Sequence, residues 1–326
     1  MFCVPRTLLF VAWLAAAFAP TIAAEARSTE PRVEFRTQKD VLAWITHYRE
    51  EPAPQHLPAL VKAMARFGLL EDSERSGVYV GFVAGVLADN QTDAEKLVTE
   101  MFPLPPASQV VVIKGIAYSG LPEWKYLLGK FVERMPARKI LIRKLMFGEA
   151  KTLRELPLTA GPEVLDAWWG FYFATGSYEP ARRIIAATAW GGEKNDLEKL
   201  TVGSMAKWTL ANNATRDKVL LDYMRSELAN QPKPVRTHLA EAISAAETFE
   251  TGKLRKAAVT SISELKAKGP EQSRKWAWWG QAGQIALAFG CVIAAAAGQV
   301  EFGIPCVVGG AAASAALRFY QMSQEK

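Results

Sequence analysis

The stretch Ala167-Trp168-Trp169-Gly170-Phe171-Tyr172-Phe173-Ala174-Thr175-Gly176-Ser177-Tyr178-Glu179-Pro180-Ala181 reads as the end of one helix, a turn and the start of the next. Trp168 and Tyr172 form one i, i+4 pair and Trp169 and Phe173 a second, so the first helix is apolar around much of its circumference. Gly176 suits the left-handed position that closes a helix, and Glu179 suits the first turn of the following one, where the dipole favours negative charge. An aromatic helix of this kind packs inside a helical array. Its exposed members could also form a binding groove, because Trp and Tyr dominate recognition hot spots. Trp168, Trp169 and Tyr172 are accordingly the candidate partner-binding residues.

The same ending recurs on either side. Apolar helical runs close at Gly68/Glu71, Gly120/Glu123 and Gly176/Glu179, at spacings of 52 and 56 residues. Near-regular recurrence marks stacked units of about three helices, a solenoid-like repeat. Apolar residues recur at helical spacing almost throughout, as in Leu57, Leu60, Val61, Met64 and Phe67. Breakers such as Pro52, Pro103, Pro136, Pro162 and Pro232 fall where helix ends are expected. Gln109 to Ile113 could be a strand, but the run continues through Gly115, Ile116 and Tyr118 and reads as a buried helix.

The aromatic segment resembles the tetratricopeptide pattern, with Tyr178 and Ala181 where that family places its turn aromatic and its small packing residue. The turn is about one residue short and the 34-residue period is absent. Together with Ala206-Lys207-Trp208-Thr209-Leu210-Ala211-Asn212-Asn213-Ala214, the segment is also similar to a group of uncharacterised bacterial exported proteins. That resemblance spans about residues 40 to 230. It implies a helical fold and an exported location, and no activity.

Half of the residues are apolar and the formal net charge is +6, with a pI of about 9.1. Cations and acids interleave along most of the chain, with denser basic stretches at Arg134 to Lys144 and Lys253 to Lys256. A nucleic-acid binder adds base-stacking aromatics or a recognisable motif to a basic face, and neither is present, so a nucleic-acid partner is not expected. The basic stretches read as solvated faces with mild affinity for anionic surfaces. No metal or cofactor is expected: the cysteines and histidines do not cluster, and no phosphate-cradling loop or dinucleotide turn occurs. His238 and Glu241 share a helix face at i, i+3 spacing, but one such pair is surface decoration rather than a metal site. Catalytic residues are likewise not assigned, since no nucleophile elbow or sugar-cleaving carboxylate pair is apparent.

Residues 1–24 have the character of a secretory signal: Arg6 precedes an apolar core from Leu8 to Ala19, and Ala23 and Ala24 are small residues that a signal peptidase accepts. The core is short for a bilayer span and Pro20 interrupts it. Residues 25–36 follow as an N-terminal extension, 37–252 as the helical-repeat domain and 253–270 as a polar helix or linker.

Residues 271–326 differ in composition. From Trp276 to Val300 there is no charged residue, and Glu301 alone separates this run from another between Phe302 and Leu317. Ala282, Ala286, Gly290, Ala294 and Gly298 lie four apart and form a smooth ridge that lets two helices approach closely. A Gly/Ala-rich helical hairpin turning near Gln299 to Pro305 is expected. Its length and its tryptophans favour membrane association through residues 276–320, whereas its glutamines and the positions of Arg274, Lys275 and Arg318 favour a soluble hairpin or packing within a homo-oligomer. In such a hairpin Cys291 and Cys306 are offset by about 8 Å along the axis. A disulfide spans at most about 6.8 Å between Cα atoms, which disfavours the bond.

These features together describe an all-α, non-enzymatic, exported scaffold of the periplasm or cell envelope, binding a protein or peptide partner. The alternative is a secreted effector or toxin whose C-terminal hairpin inserts into a target membrane.

Overall fold

The computed structural model describes residues 33–71 and 76–267 of the 326-residue chain. Residues 1–24, most of the 25–36 extension and the 271–326 segment, with its small-residue ridge and both cysteines, lie outside the described residues. Among the described residues every regular element is helical and there is no strand. The chain opens with α1 (Gln38–His47), α2 (Leu57–Arg66), α3 (Gly77–Asp89) and α4 (Ala94–Met101). Next come α5 (Gln109–Tyr118), α6 (Trp124–Lys130), α7 (Lys139–Met146) and α8 (Pro162–Thr175). α9 (Tyr178–Ala187), α10 (Leu197–Ala214), α11 (Lys218–Leu228), α12 (Lys233–Glu247) and α13 (Thr251–Ala267) complete the described chain. The Gln109 run is thus a helix, and most of it is buried.

Local chemistry accounts for the element ends. At the start of α1, the Thr37 hydroxyl accepts from the Asp40 N–H at 3.1 Å, and the Asp40 carboxylate accepts from the Thr37 N–H at 2.8 Å. The two bonds form a capping box. Asp196 and Asp217 cap α10 and α11 through their carboxylates. Pro162 occupies the first position of α8, where a missing N–H costs nothing. Gly68, Gly120 and Gly176 all have φ between 65° and 76°, so each recurring glycine does adopt the left-handed backbone. Their acidic partners diverge. Glu179 lies in the first turn of α9, Glu123 immediately precedes α6, and Glu71 sits in a bend outside any helix.

The centre of the molecule is the α3–α8 pair, which makes the most extensive helix contact of the described chain. α3 is buried from Gly77 through Leu87, and α8 from Val164 through Ala174. Three glycines four residues apart, Gly77, Gly81 and Gly85, face α8. A Cβ at Gly81 would stand 1.8 Å from the Ala167 carbonyl oxygen, and one at Gly170 of α8 would stand 2.0 Å from that of Val78. The two backbones therefore touch, and only glycine permits it. α5 covers another side of α3, while α1, α9 and α10 also contact α8.

α13 packs on α10, with Ile262 buried beside Leu197 and Leu200 and with Val259 and Leu265 against them. Residues 253–267 of the polar stretch thus belong to a docked helix. It begins at Thr251, so the expected boundary between residues 252 and 253 falls inside its first turn.

Two predictions follow from this core. Gly81→Ala lowers stability by about 3 kcal/mol, because overpacking exceeds the gain in helix propensity. Gly129→Ala on exposed α6, where the nearest atom is the Met146 methyl at 3.9 Å, is neutral or stabilising by up to about 1 kcal/mol. Urea unfolding of both variants checks the contrast.

The second prediction concerns Asp166, which is fully buried with neither carboxylate oxygen meeting a hydrogen-bond donor among the described residues. Burial, and secondarily the nearby Glu163 carboxylate, hold its pKa well above the ordinary 3.8. Since folding raises this pKa, its stabilising contribution is fully present below 3.8 and is lost as the pH rises through the folded value. Asp166→Asn should therefore raise stability near pH 7 by about 2 kcal/mol. The gain should shrink as the pH falls toward 4, which paired melting curves at the two pH values detect.

Candidate functional site

A cleft of about 480 Å³ opens where α1 and the 3-10 turn after it meet the ends of α8 and α10. Phe173 lies in its wall together with Ala43 of α1, which makes one part of the lining apolar. Asn212 and Asn213, on the last turn of α10, supply amides. Lys39, Arg49 and Arg216 bring cations, and Glu50 and Asp217 bring acids.

The cleft is anchored by a three-residue network that joins separate parts of the chain. The Arg49 guanidinium donates to the Tyr172 hydroxyl at 2.7 Å and lies 4.9 Å from the centre of that ring. The Tyr172 hydroxyl donates to Asp217 Oδ2 at 2.6 Å. Arg49 also pairs directly with that oxygen. The second Asp217 oxygen accepts from the Leu220 N–H at 3.0 Å, so one carboxylate both caps α11 and holds the arginine.

Exposures of 17% for the Arg49 side chain and 12% for that of Asp217 place this pair largely out of water. Burial acts to lower the pKa of Arg49, but its bond to Asp217 and the adjacent Tyr172 outweigh that effect and leave it raised. Burial, followed by the Asp217 carboxylate, raises the Tyr172 pKa strongly and keeps its phenol a donor.

The expected aromatic binding residues take other roles. Trp168, Trp169 and Tyr172 are each 0% exposed. The Trp169 indole donates to the Thr209 hydroxyl at 2.9 Å, and its ring stacks on Phe173 at 5.8 Å. Trp168 lies beneath the Arg183 guanidinium, 4.6 Å away. A helix clasped by α3 on one side and by α1 and α10 elsewhere leaves no outward face for these rings. The expectation that exposed members of the set contact a partner is therefore corrected: all three belong to the core. Tyr172 reaches the cleft through its hydroxyl network alone.

His238 Nδ1 is 3.5 Å from Glu241 Oε2, but that oxygen is also held by Lys207 at 2.8 Å. Among the described residues no group of three or more His, Cys, Asp or Glu side chains could hold a metal ion. No helix among them is long and apolar enough to cross a membrane.

Sequence reasoning reached Asn212 and Asn213 only as part of a resemblance and did not single out Arg49 or Asp217. Arg49 precedes Tyr172 by 123 residues and Tyr172 precedes Asp217 by 45, and no local pattern links such positions. Asp217 carried one legible sign, since an acid just before the helical run Val219-Leu220-Leu221 is a cap candidate.

The network can be tested by stability. Tyr172→Phe keeps the ring and the direct Arg49–Asp217 pair and should cost about 1 kcal/mol. Asp217→Ala strands a largely buried guanidinium and uncaps α11, and should cost about 3 kcal/mol or more. Chemical denaturation of the two variants should preserve that order. No protein-family model, curated protein or solved structure matches this chain.

Proposed function

We propose that this chain is a non-enzymatic, exported helical scaffold that binds an acidic segment of a protein or peptide partner in the α1/α8/α10 cleft. The observation that carries the reading is the composition of the cleft: the exposed cations Lys39 and Arg216 stand in one concavity over a largely buried floor of Phe173, Asn212 and Asn213. Lys and Arg complement carboxylates. An apolar wall with a few placed polar groups is the usual make-up of a recognition cleft. The rigid Arg49–Tyr172–Asp217 network below would hold this surface in shape before a partner arrives, which lowers the ordering cost of binding.

The scaffold reading includes a repeated unit. Between Gly68 and Gly120 lie three helices, α3 to α5, and between Gly120 and Gly176 another three, α6 to α8. The extensive α3–α8 contact joins the two segments, which supports reading them as neighbouring units of a stack. Export rests on the signal-like character of residues 1–24, and the Gly/Ala-rich 271–326 segment is assigned to membrane association or self-assembly.

Selection of peptides from a random library on the immobilised full-length protein tests the cleft. Acid-rich peptides should be enriched, and Arg216→Glu together with Lys39→Glu should weaken their capture about tenfold or more. Enrichment of sequences without acids, or capture indifferent to both substitutions, would sink this assignment.

A further inference from the structure

The chain's charge is not spread over its surface in proportion to its length. Trp124 to Gly148, which spans α6 and α7, contains seven cations and a single acid, Glu133, an imbalance equal to the net +6 of the entire sequence. Two of those cations are matched by acids. Lys130 pairs with Glu95 of α4 at 2.6 Å, and Lys139 with Glu133 at 3.2 Å. Arg138 donates to the Pro106 carbonyl at 2.9 Å, and Arg134 lies over the Phe102 and Phe131 rings at 5.7 and 5.5 Å. Arg143 and Lys144 of α7 have no acidic partner among the described residues. The next acid, Glu149, lies beyond Gly148.

The same segment carries three of the largest outward-facing apolar side chains: Tyr126 at 65% exposure, Ile140 at 68% and Phe147 at 75%. On α7 the pattern has a defined geometry. Ile142 and Leu145 are buried and fix the inward face. At about 100° per residue, Ile140, Arg143, Lys144 and Phe147 then fall within one outward stripe, with no acid among them. The Met146 methyl would lie 3.9 Å from a Cβ added at Gly129 of α6, the helix on which Lys130 covers the Tyr126 ring. A folded surface that leaves isoleucine and phenylalanine in water gains from covering them, and the adjoining cations specify an anionic cover.

We propose that the α6–α7 face docks on an anionic lipid surface, with Arg143 and Lys144 at the headgroups and Ile140 and Phe147 entering the headgroup–acyl boundary. A short cationic helix with an apolar stripe lies in the plane of an interface in this manner. Nucleic acid is the other polyanion that this charge could attract. Its backbone would engage the cations but give Ile140 no apolar medium, whereas the lipid boundary takes both kinds of side chain. This surface is distinct from the cleft and does not depend on what the cleft binds.

Sedimentation of the full-length protein with vesicles of neutral phosphatidylcholine, and with vesicles that also contain phosphatidylglycerol, provides the test. Binding is expected on the anionic vesicles and should weaken with salt. R143Q/K144Q should lower partitioning about thirty-fold, the contribution of two cations near an anionic surface. I140S/F147S keeps the charge and should lower it about tenfold or more. K218Q/K233Q removes two cations elsewhere and, like R216E in the cleft, should leave partitioning within about threefold of the parent. All of these side chains are exposed, and circular dichroism with urea midpoints verifies the fold of each variant. Vesicle binding unaffected by R143Q/K144Q overturns the proposal. So does binding that ignores I140S/F147S while a duplex oligonucleotide is held tightly and released by R143Q/K144Q, because the face would then read phosphate alone.

Discussion

With Gly81 against the Ala167 carbonyl and Gly170 against that of Val78, α3 and α8 approach until backbone meets backbone. Close approach increases dispersion contacts and excludes water from both helices along their length. It also removes freedom from everything around them. The remaining side chains of α8 must project away from α3, so Trp169, Tyr172 and Phe173 form an aromatic layer toward neighbouring helices, with Tyr172 meeting Trp169 edge-on at 5.7 Å. α3 has few polar side chains and is buried almost all round, so it depends wholly on its neighbours for cover.

The same contact explains how a polar network can sit at the edge of an apolar core. Tyr172 belongs to the aromatic layer by its ring and to the cleft by its hydroxyl, which bridges Arg49 and Asp217. Arg49 follows α1 and Asp217 immediately precedes α11, so a single phenol ties two other parts of the chain to the central pair. Each member of the network has a partner, and satisfied polar groups of this kind specify one packing where apolar contacts alone would tolerate several. Asp166 is the contrary case on the same helix. It is more deeply buried than Arg49 or Asp217 and has no hydrogen-bond partner among the described residues, beside Gly77, where the close approach leaves little space.

The helical class, the helix-closing glycines and the aromatic helix were legible because each depends on neighbours within a few residues. Gly176 after an apolar run is a helix end whatever the tertiary fold. The α3–α8 contact was not read, although its sign is present: Gly77, Gly81 and Gly85 have the same four-residue spacing as the ridge from Ala282 to Gly298. Embedded among valine, tyrosine and phenylalanine, those glycines look like ordinary interruptions of an apolar helix, and only the opposing backbone reveals their purpose. The cleft was hidden for a different reason. Its charged members are common surface residue types, and they acquire meaning through partners 45 or 123 residues away. The tryptophans misled as binding residues because large aromatics serve cores and recognition faces alike, and exposure alone separates the two.

Charge shows the same dependence on arrangement. Along the chain, Lys and Arg look well mixed with Asp and Glu, and the basic stretch near Arg134 looks like one solvated face among several. Folding separates them. Arg154 and Arg183 converge on Glu179, Arg225 takes Asp222 and Glu247, and Lys207 takes Glu241. Those cations are held locally by acids, so their fields largely cancel beyond the Debye length. Arg143 and Lys144 of α7 pair with no acid among the described residues, and the inward positions there are already taken by Ile142 and Leu145. Ile140 and Phe147 must then remain outside beside the uncompensated Arg143 and Lys144. The α7 face therefore sets apolar and cationic side chains side by side, the combination that an anionic interface would take up.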